Sequence, residues 1–585
     1  MRDHLFRTYK KYIKHFNLED IENTYSQFFD YVILIESAEL LGHTKHFHSE
    51  TIETHINYLV SNLYTNKVKK ITPDAIGETF EKVVNRKSIG AYYTPKIVTN
   101  YITKESMNLA LKNYSIDELN TLDPTCGAGA FLVSAFKYIV DYKVENFPNE
   151  DIVKIVLDTS DQISGVDISG IAIEIARYRL NIIALEYGLP INRLDDLKFN
   201  LFEGNAIYGY LEGSSGNLTR LHELSDKELS FERWKKFTKP FIWGNVFTKK
   251  FNVIVGNPPY IETRKLFNYK PNVSKYFYGN IYADTLERSY QLLSDNGIMG
   301  MIVPISFTTT NRMSFILNHI IDNSGLLRVQ FYADRPGCLF SGVHQKLNIV
   351  FSQKTKNHRC RIFTSNYMHF NKLEIDSLFD NIDEFEVFNR GLGVFSKVSN
   401  KLEEGILRKI IKTDGKIIGN KGESTVFLSS RACFWIKVFV DKKISNDYMK
   451  LNFESYKTAR HVYSILNSNL FFWFWEKVSD CWHIRKSDLK FFDFKLENIN
   501  DSLVELSYIV EDMLESTKKY IGSKQVDYEY KHKLIKMQLD EIDYVLASMY
   551  KLSNEELEYL IDYNLQYRLN GELSSYLSAR RNKDV

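Results

Sequence analysis

An apolar, β-branched run, Val253-Ile254-Val255, stops abruptly at Gly256-Asn257-Pro258-Pro259-Tyr260. A run apolar on both faces predicts a buried parallel strand, and two prolines force the chain out of the sheet at Asn257. Similar short runs recur around Leu122, over Ile163–Ile168, over Lys198–Ile207 and over Gly297–Pro304. Between them, apolar residues fall at helical spacing over Lys96–Leu111, through Val133 and Phe136, over Ala172–Leu180 and over Asp284–Leu293. Leu339–Val343 and Leu347–Phe351 predict a closing antiparallel hairpin. Alternating strand and helix patterns predict a doubly wound α/β domain over residues 86–360. Residues 1–85 carry only helical spacings, with Asp74 predicted to cap a helix through Ile76, Phe80 and Val83. Residues 208–250 interrupt the α/β pattern as an insertion. After residue 361 the texture changes. Strand-like pieces, Glu423–Leu428 and Phe434–Phe439, alternate with polar turns, and the aromatic run Ala459–Trp475 predicts one buried helix. This mixed α+β region, 361–498, is followed by a charged, amphipathic helical tail, 499–585.

Composition adjusts this picture modestly. At 585 residues the chain exceeds one core, in keeping with several domains. A net charge of +2 leaves any electrostatic case for nucleic acid to local patches. Two such patches mix bases with rings: Arg233–Trp243 and Arg264–Lys270. They suit a nucleic-acid backbone, and equally a solvated rim over core aromatics. Five cysteines without a Cys-x-x-Cys pair favour a reducing cytoplasm and argue against structural zinc. No metal site is expected; His461 and His483 stand alone. The N-terminus lacks a signal-peptide core, and no apolar run is long enough to span a membrane.

The candidate chemistry lies at the strand ends, where open α/β sheets bind ligands. The Asn257 carboxamide oxygen and the Pro258 carbonyl are two acceptors that can converge on one amino group. Holding both hydrogens of an aromatic amine frees its lone pair, and Tyr260 offers a face for a base. Asp123-Pro124-Thr125-Cys126-Gly127-Ala128-Gly129 places a glycine-rich turn between a strand and a helix. Its spacing is neither that of a dinucleotide fingerprint nor that of a phosphate-cradling loop. Asp167 ends the next strand, where an acid takes ribose hydroxyls or caps the following helix. Asn205, near a third strand end, can reach a base edge. Tyr92-Tyr93-Thr94-Pro95 reads as a helix start, with Thr94 as its cap. Pro73-Asp74 has no acid-x-Lys partner and so does not predict a nuclease core.

In this order the motifs resemble the gamma class of DNA adenine-N6 methyltransferases of bacterial restriction–modification systems, including the type II and nuclease-fused type IIG-like enzymes. The resemblance covers residues 76–352, and more loosely the Leu466-Asn467-Ser468-Asn469-Leu470-Phe471 run seen in target-recognition domains. It implies a Rossmann-like class I methyltransferase domain with S-adenosylmethionine as methyl donor. Tyr93, Thr94 and Pro95 would hold the methionine end of the donor. Asp123, Cys126, Gly127 and Gly129 would pass beneath it, Asp167 would bind the ribose and Asn205 the adenine ring. Asn257, Pro258, Pro259 and Tyr260 would be catalytic, with Phe340 sandwiching a flipped base against Tyr260. The family often has Asp where Asn205 stands. Double-stranded DNA is the implied partner, together with a separate restriction endonuclease or defence-complex subunit. RNA adenine and protein glutamine are alternative acceptors for Asn-Pro-Pro-Tyr, and a DNA-specificity subunit with a silent methylase fold is a non-enzymatic alternative. The long C-terminal region and intact motifs favour a DNA enzyme.

Overall fold

The computed structural model describes residues 2–16, 28–29, 31–32, 58–62, 72–83, 94–210, 240–247, 249–266, 273, 276–340, 343–355, 359–387, 395–412, 418–522 and 528–583. The chain divides into two compact units. The first comprises Met1–Phe307, Arg312–Arg328 and Leu339–Arg361, and the second Thr308–Asn311, Val329–Cys338 and Ile362–Val585.

The first unit is built on β1 (Thr121–Asp123), β2 (Ile163–Asp167), β3 (Asn200–Glu203), β4 (Phe251–Gly256), β5 (Leu293–Pro304), the first part of β6 (Ser324–Tyr332) and β7 (Leu347–Lys354). Their order in the sheet is β3-β2-β1-β4-β5-β7-β6. β1 pairs in parallel with β2 and β4, β2 with β3, and β4 with β5, whereas β7 runs antiparallel to β5. This is the doubly wound α/β fold that the sequence predicts. The hairpin differs in one strand. Leu339 and Phe340 are buried in a loop, and β6 instead flanks β7. Both residues are apolar because they are packed away from water, which period alone cannot tell from a strand.

Helices follow from local signals. α1 (Arg2–Phe16) and α2 (Pro73–Val83) belong to a cluster in which Leu5, Tyr12, Phe28, Ile76 and Phe80 meet Ala128, Ile171 and Ile175. The cap of α2 is Thr72, whose Oγ1 accepts from Ala75 N, rather than Asp74. α3 (Lys96–Ala110) starts after Pro95, and α4 (Ala130–Asn146) starts after the glycine turn. α5 (Gly170–Glu186) is capped by Ser169, α6 (Ile281–Leu292) by Asn280, and α7 (Ser314–Asp322) precedes β6. The sequence starts α6 three residues late because Ile281 and Tyr282 look like strand residues until the Asn280 cap is seen. Residues 33–57, part of the predicted N-terminal helices, lie outside the described residues, as do 211–239 of the insertion.

The second unit has a three-stranded antiparallel sheet in which Ser424–Ser429 lies between Val438–Val440 and Tyr448–Phe453. The predicted strand Phe434–Phe439 is thus confined to its end. The predicted aromatic helix is two: α8 (Tyr456–Asn467) and α9 (Asn469–Val478). Ser468 breaks the run because its Oγ accepts from Phe471 N and so starts a new helix. Among the described residues no helix is long and apolar enough to cross a membrane.

Candidate active site

The strand order reverses between β1 and β4, so the crevice of the sheet opens at their carboxyl ends. Gly256 ends β4 against Asp123. A Cβ there would lie 2.8 Å from Asp123 Oδ1, so the lack of a side chain lets the two strand ends close together. Beyond Gly256, Pro258 is buried and Asn257 and Tyr260 are half-buried. Asn257 Nδ2 donates to Thr94 Oγ1 at 2.9 Å, which turns Oδ1 to the opposite side. The Tyr260 hydroxyl donates to the Ile302 carbonyl of β5 at 2.9 Å, fixing the ring. The buried Phe340 ring lies 6.4 Å from Tyr260 at 35°. A flat base between two rings needs about 7 Å, twice a van der Waals contact, so a small rotation of either ring forms a slot.

Thr94 therefore differs from its predicted part. Pro95 occupies the cap position of α3 with no side-chain cap bond, and the Thr94 hydroxyl serves Asn257 instead. Pro95 is half-buried beside it. Tyr93 lies outside the described residues.

Across the crevice, Gly127 and Gly129 adopt φ of 51° and 78°, in the left-handed region that glycine enters without strain. A Cβ on Gly129 would also lie 2.8 Å from that of Ala176 in α5, so the turn presses on the helix. Asp123 Oδ1 accepts from Thr125 N at 3.0 Å. Asp167 ties the turn to β2: Oδ2 accepts from Gly127 N at 3.0 Å and Oδ1 from Ser169 N at 2.9 Å. Two of about four acceptor positions are used, leaving room for hydroxyls. Burial pushes the Asp167 carboxyl above the usual range, partly offset by these two N–H groups. Capping of α5 falls to Ser169, not Asp167.

Two predicted ligand residues act differently from expectation. Cys126 is buried, and a Cβ on Gly165 would lie 3.1 Å from its Sγ. Burial, with Asp167 and Asp123 nearby, pushes its thiol well up. The thiol thus belongs to the core, and only the backbone of its turn can face a ligand. Asn205 Oδ1 accepts from Ile207 N at 3.1 Å and Tyr208 N at 3.4 Å. Its oxygen is thus held by its own turn.

Three groups have no sequence signature. Tyr282, fully buried, sets its ring edge-on to Tyr260 at 6.3 Å and 87°, with its hydroxyl 2.8 Å from Ser306 Oγ. Arg312 clamps Glu262 with two bonds of 2.9 Å just past the Asn-Pro-Pro-Tyr turn. Arg179, buried in α5, donates to the Ala128 carbonyl of the glycine turn and to Asp74 Oδ1 of α2 at 2.7 Å. An arginine amid the apolar Ile171–Ile183 stretch was the available hint for the last.

Residues 72–204 match the family model described as N-6 DNA Methylase, and residues 161–335 that of the Eco57I restriction-modification methylase. Over 184 residues the chain is 32% identical to the adenine-specific methyltransferase PglX of Streptomyces coelicolor, covering 31% of this chain and 15% of that protein. It is 25% identical over 311 residues to the type II restriction enzyme and methyltransferase RM.Eco57I of Escherichia coli, covering 48% of this chain and 28% of that one. These matches thus span less than a third of either relative. A likeness of fold extends over 98% of this chain and 99% of the type IIL restriction-modification enzyme MmeI, whose structure was solved with DNA, at a TM-score of 0.53 and 11% identity. Residues 72–335 are thus similar to the N-6 DNA methylases and to the methylases of restriction–modification systems.

Proposed function

We propose that this chain is a site-specific DNA methyltransferase. It transfers the methyl group of S-adenosylmethionine to the N6 amine of an adenine extruded from duplex DNA. It would serve as the modification component of a cytoplasmic restriction–modification or phage-defence system, beside a separate endonuclease or defence subunit. The observation that carries this reading is Asn257, oriented by Thr94 beside the Tyr260–Phe340 pair and one residue beyond Gly256, which closes against Asp123.

The crevice fits the donor. Gly129 and Gly256 let the turn close on Ala176 and β4 close on Asp123, Gly127 and Gly129 take left-handed φ, and Asp167 keeps acceptor capacity for ribose hydroxyls. Asp123, Thr94 and Pro95 border the same cradle, with Asn205 offering its amide to the adenine ring. The donor supplies an electrophilic methyl on a sulfonium.

The chain's residues do the rest. Extruding the adenine costs a few kcal/mol, and stacking on Tyr260 and Phe340 returns ~1–3 kcal/mol per ring. Asn257 Oδ1 and the Pro258 carbonyl accept the two amine hydrogens, directing the nitrogen lone pair at the methyl. As the new N–C bond forms the S–C bond breaks, and one amine proton leaves to solvent. Most of the acceleration comes from holding these atoms in line. Pro259 stiffens the turn that presents both acceptors.

The test is Asn257→Ala. Loss of one preorganised partner lowers transfer by about 100-fold or more, while titration calorimetry gives an unchanged donor affinity. DNA from expressing cells, sequenced for N6-methyladenine, should show one methylated motif with the wild type and none with the variant. Near-normal methylation by the variant would sink the assignment, as would wild-type transfer of labelled methyl to RNA or protein alone.

A further inference from the structure

Close beside this crevice the surface carries rings that a soluble fold ordinarily hides. Phe277 is 73% exposed, Phe315 55% and Tyr276 52%. Tyr276 and Phe315 lie face to face, centroids 4.4 Å apart at 15°. Tyr276 and Phe277 lie in the segment leading into α6, and Phe315 is in the first turn of α7. Each of these helices follows a strand of the parallel sheet, so all three rings lie at its carboxyl edge, the edge that carries Asn257.

The platform is held in place. Tyr278, next along, is buried and donates to Glu287. Gly279 has φ of 73°, and a Cβ on it would lie 3.2 Å from Arg312 Nη1. Asn280 caps α6 and donates to Glu262 Oε1 at 3.3 Å, the carboxylate that Arg312 grips. Glu262 is two residues beyond Tyr260. Anchored at Tyr278, Gly279 and Asn280, the chain presents residues 276 and 277 outward. Arg264 and Lys265, both exposed, add positive charge on the loop that leaves the Asn-Pro-Pro-Tyr turn.

We propose that Tyr276, Phe277 and Phe315 form a stacking platform for DNA bases that lose their neighbours when the target adenine is extruded. Flat faces beside cations suit an unstacked stretch of a polyanionic strand, because every base offers a π-face whatever its sequence. The platform is separate from the Tyr260–Phe340 slot: the slot takes the extruded base, and the platform takes bases left in the opened duplex. This inference rests on the DNA reading above.

The test uses the full chain and a fluorescein-labelled, mixed-sequence 30-nucleotide strand, free and as its duplex. Anisotropy should show single-strand affinity lowered about tenfold by Phe277→Ala and again by Phe315→Ala, following the usual loss per stacked base. Phe277→Trp should restore binding, and donor affinity should stay unchanged in every variant. Wild-type binding that the alanine variants leave intact overturns the platform and spares the DNA reading. A wild type that binds neither strand nor duplex overturns both. If sedimentation shows the wild type self-associating and Phe277→Ala monomeric, with equal DNA affinity, the platform is a contact between copies and the proposal falls.

Discussion

Thr94 stands 163 positions from Asn257, and its hydroxyl accepts the carboxamide Nδ2 at 2.9 Å. A half-turn of that carboxamide would present a donor where an amine needs an acceptor, so the contact acts on chemistry as well as packing. Thr94→Val removes the acceptor at nearly constant volume. Loss of one such positioning bond, ~1–1.5 kcal/mol, should lower kcat about tenfold, with Thr94→Ser near wild type. Donor affinity separates the two roles open to Thr94: unchanged binding supports orientation of Asn257, and a raised Kd would place the hydroxyl on the methionine end instead. Asn257–Tyr260 were legible in sequence because strand, exit and acceptors are contiguous. The Thr94 contact was not, because no local pattern specifies where a hydroxyl 163 residues away will point. Tyr282 was hidden for a similar reason: its spacing is that of any buried aromatic, and only the packed structure sets it against Tyr260.

At the level of elements, most strands of the sheet were visible as apolar runs ending in ligand-type residues. Among β1 to β7, β6 was the exception. Its burial alternates at its start, while the neighbouring Leu339 and Phe340 mimic a strand from a loop. Arg179 adds a link between elements that periodicity does not carry. It joins α5, the Ala128 carbonyl of the glycine turn and Asp74 of α2, so the N-terminal helical segment braces the turn beneath the proposed donor site. Arg179→Met would leave the Ala128 carbonyl without this partner. At ~1–3 kcal/mol for an unmet buried group, donor affinity should fall about tenfold or more, read by calorimetry with helix content unchanged. Burial would raise the Asp74 carboxyl, but the Arg179 charge and hydrogen bond, with Lys96 and Lys137 near, hold it below the usual range. A depressed acid keeps its stabilising effect above its unfolded pKa and loses it as pH falls through the folded one. The brace should thus be constant from pH 6 to 8 and fail only in acid.

Over the whole molecule, net charge near zero conceals strong local electrostatics, and the second unit holds two buried groups that oppose one another. Asp543 accepts from Asn469 N and Leu470 N at the start of α9, with Asp540 and Lys536 close by. Burial pushes its carboxyl up to about 6. His532 is buried near Lys437 and Arg568, and burial brings its imidazole down to about 4. A raised acid gives stability that is complete below its unfolded pKa, near 3.8, and is lost as pH rises through 6. A lowered histidine gives stability that is complete above its unfolded pKa, near 6.5, and is lost as pH falls through 4. The two effects span nearly the same window with opposite slopes, each of order 3 kcal/mol at 1.36 kcal/mol per pKa unit. Their sum is close to flat, so the wild type alone would reveal neither. Single variants uncouple them. Relative to wild type, Asp543→Asn should gain stability as pH rises from 4 to 6.5, and His532→Gln should lose it over the same range. Denaturant unfolding of the full chain at pH 4.5, 5.5 and 6.5 reads both slopes. Parallel profiles for the two variants would show that these groups are not the opposing pair. Slopes of opposite sign would show that the second unit holds its stability across mildly acidic pH by cancellation between two buried titrating groups, each kept neutral in the fold between about pH 4 and 6.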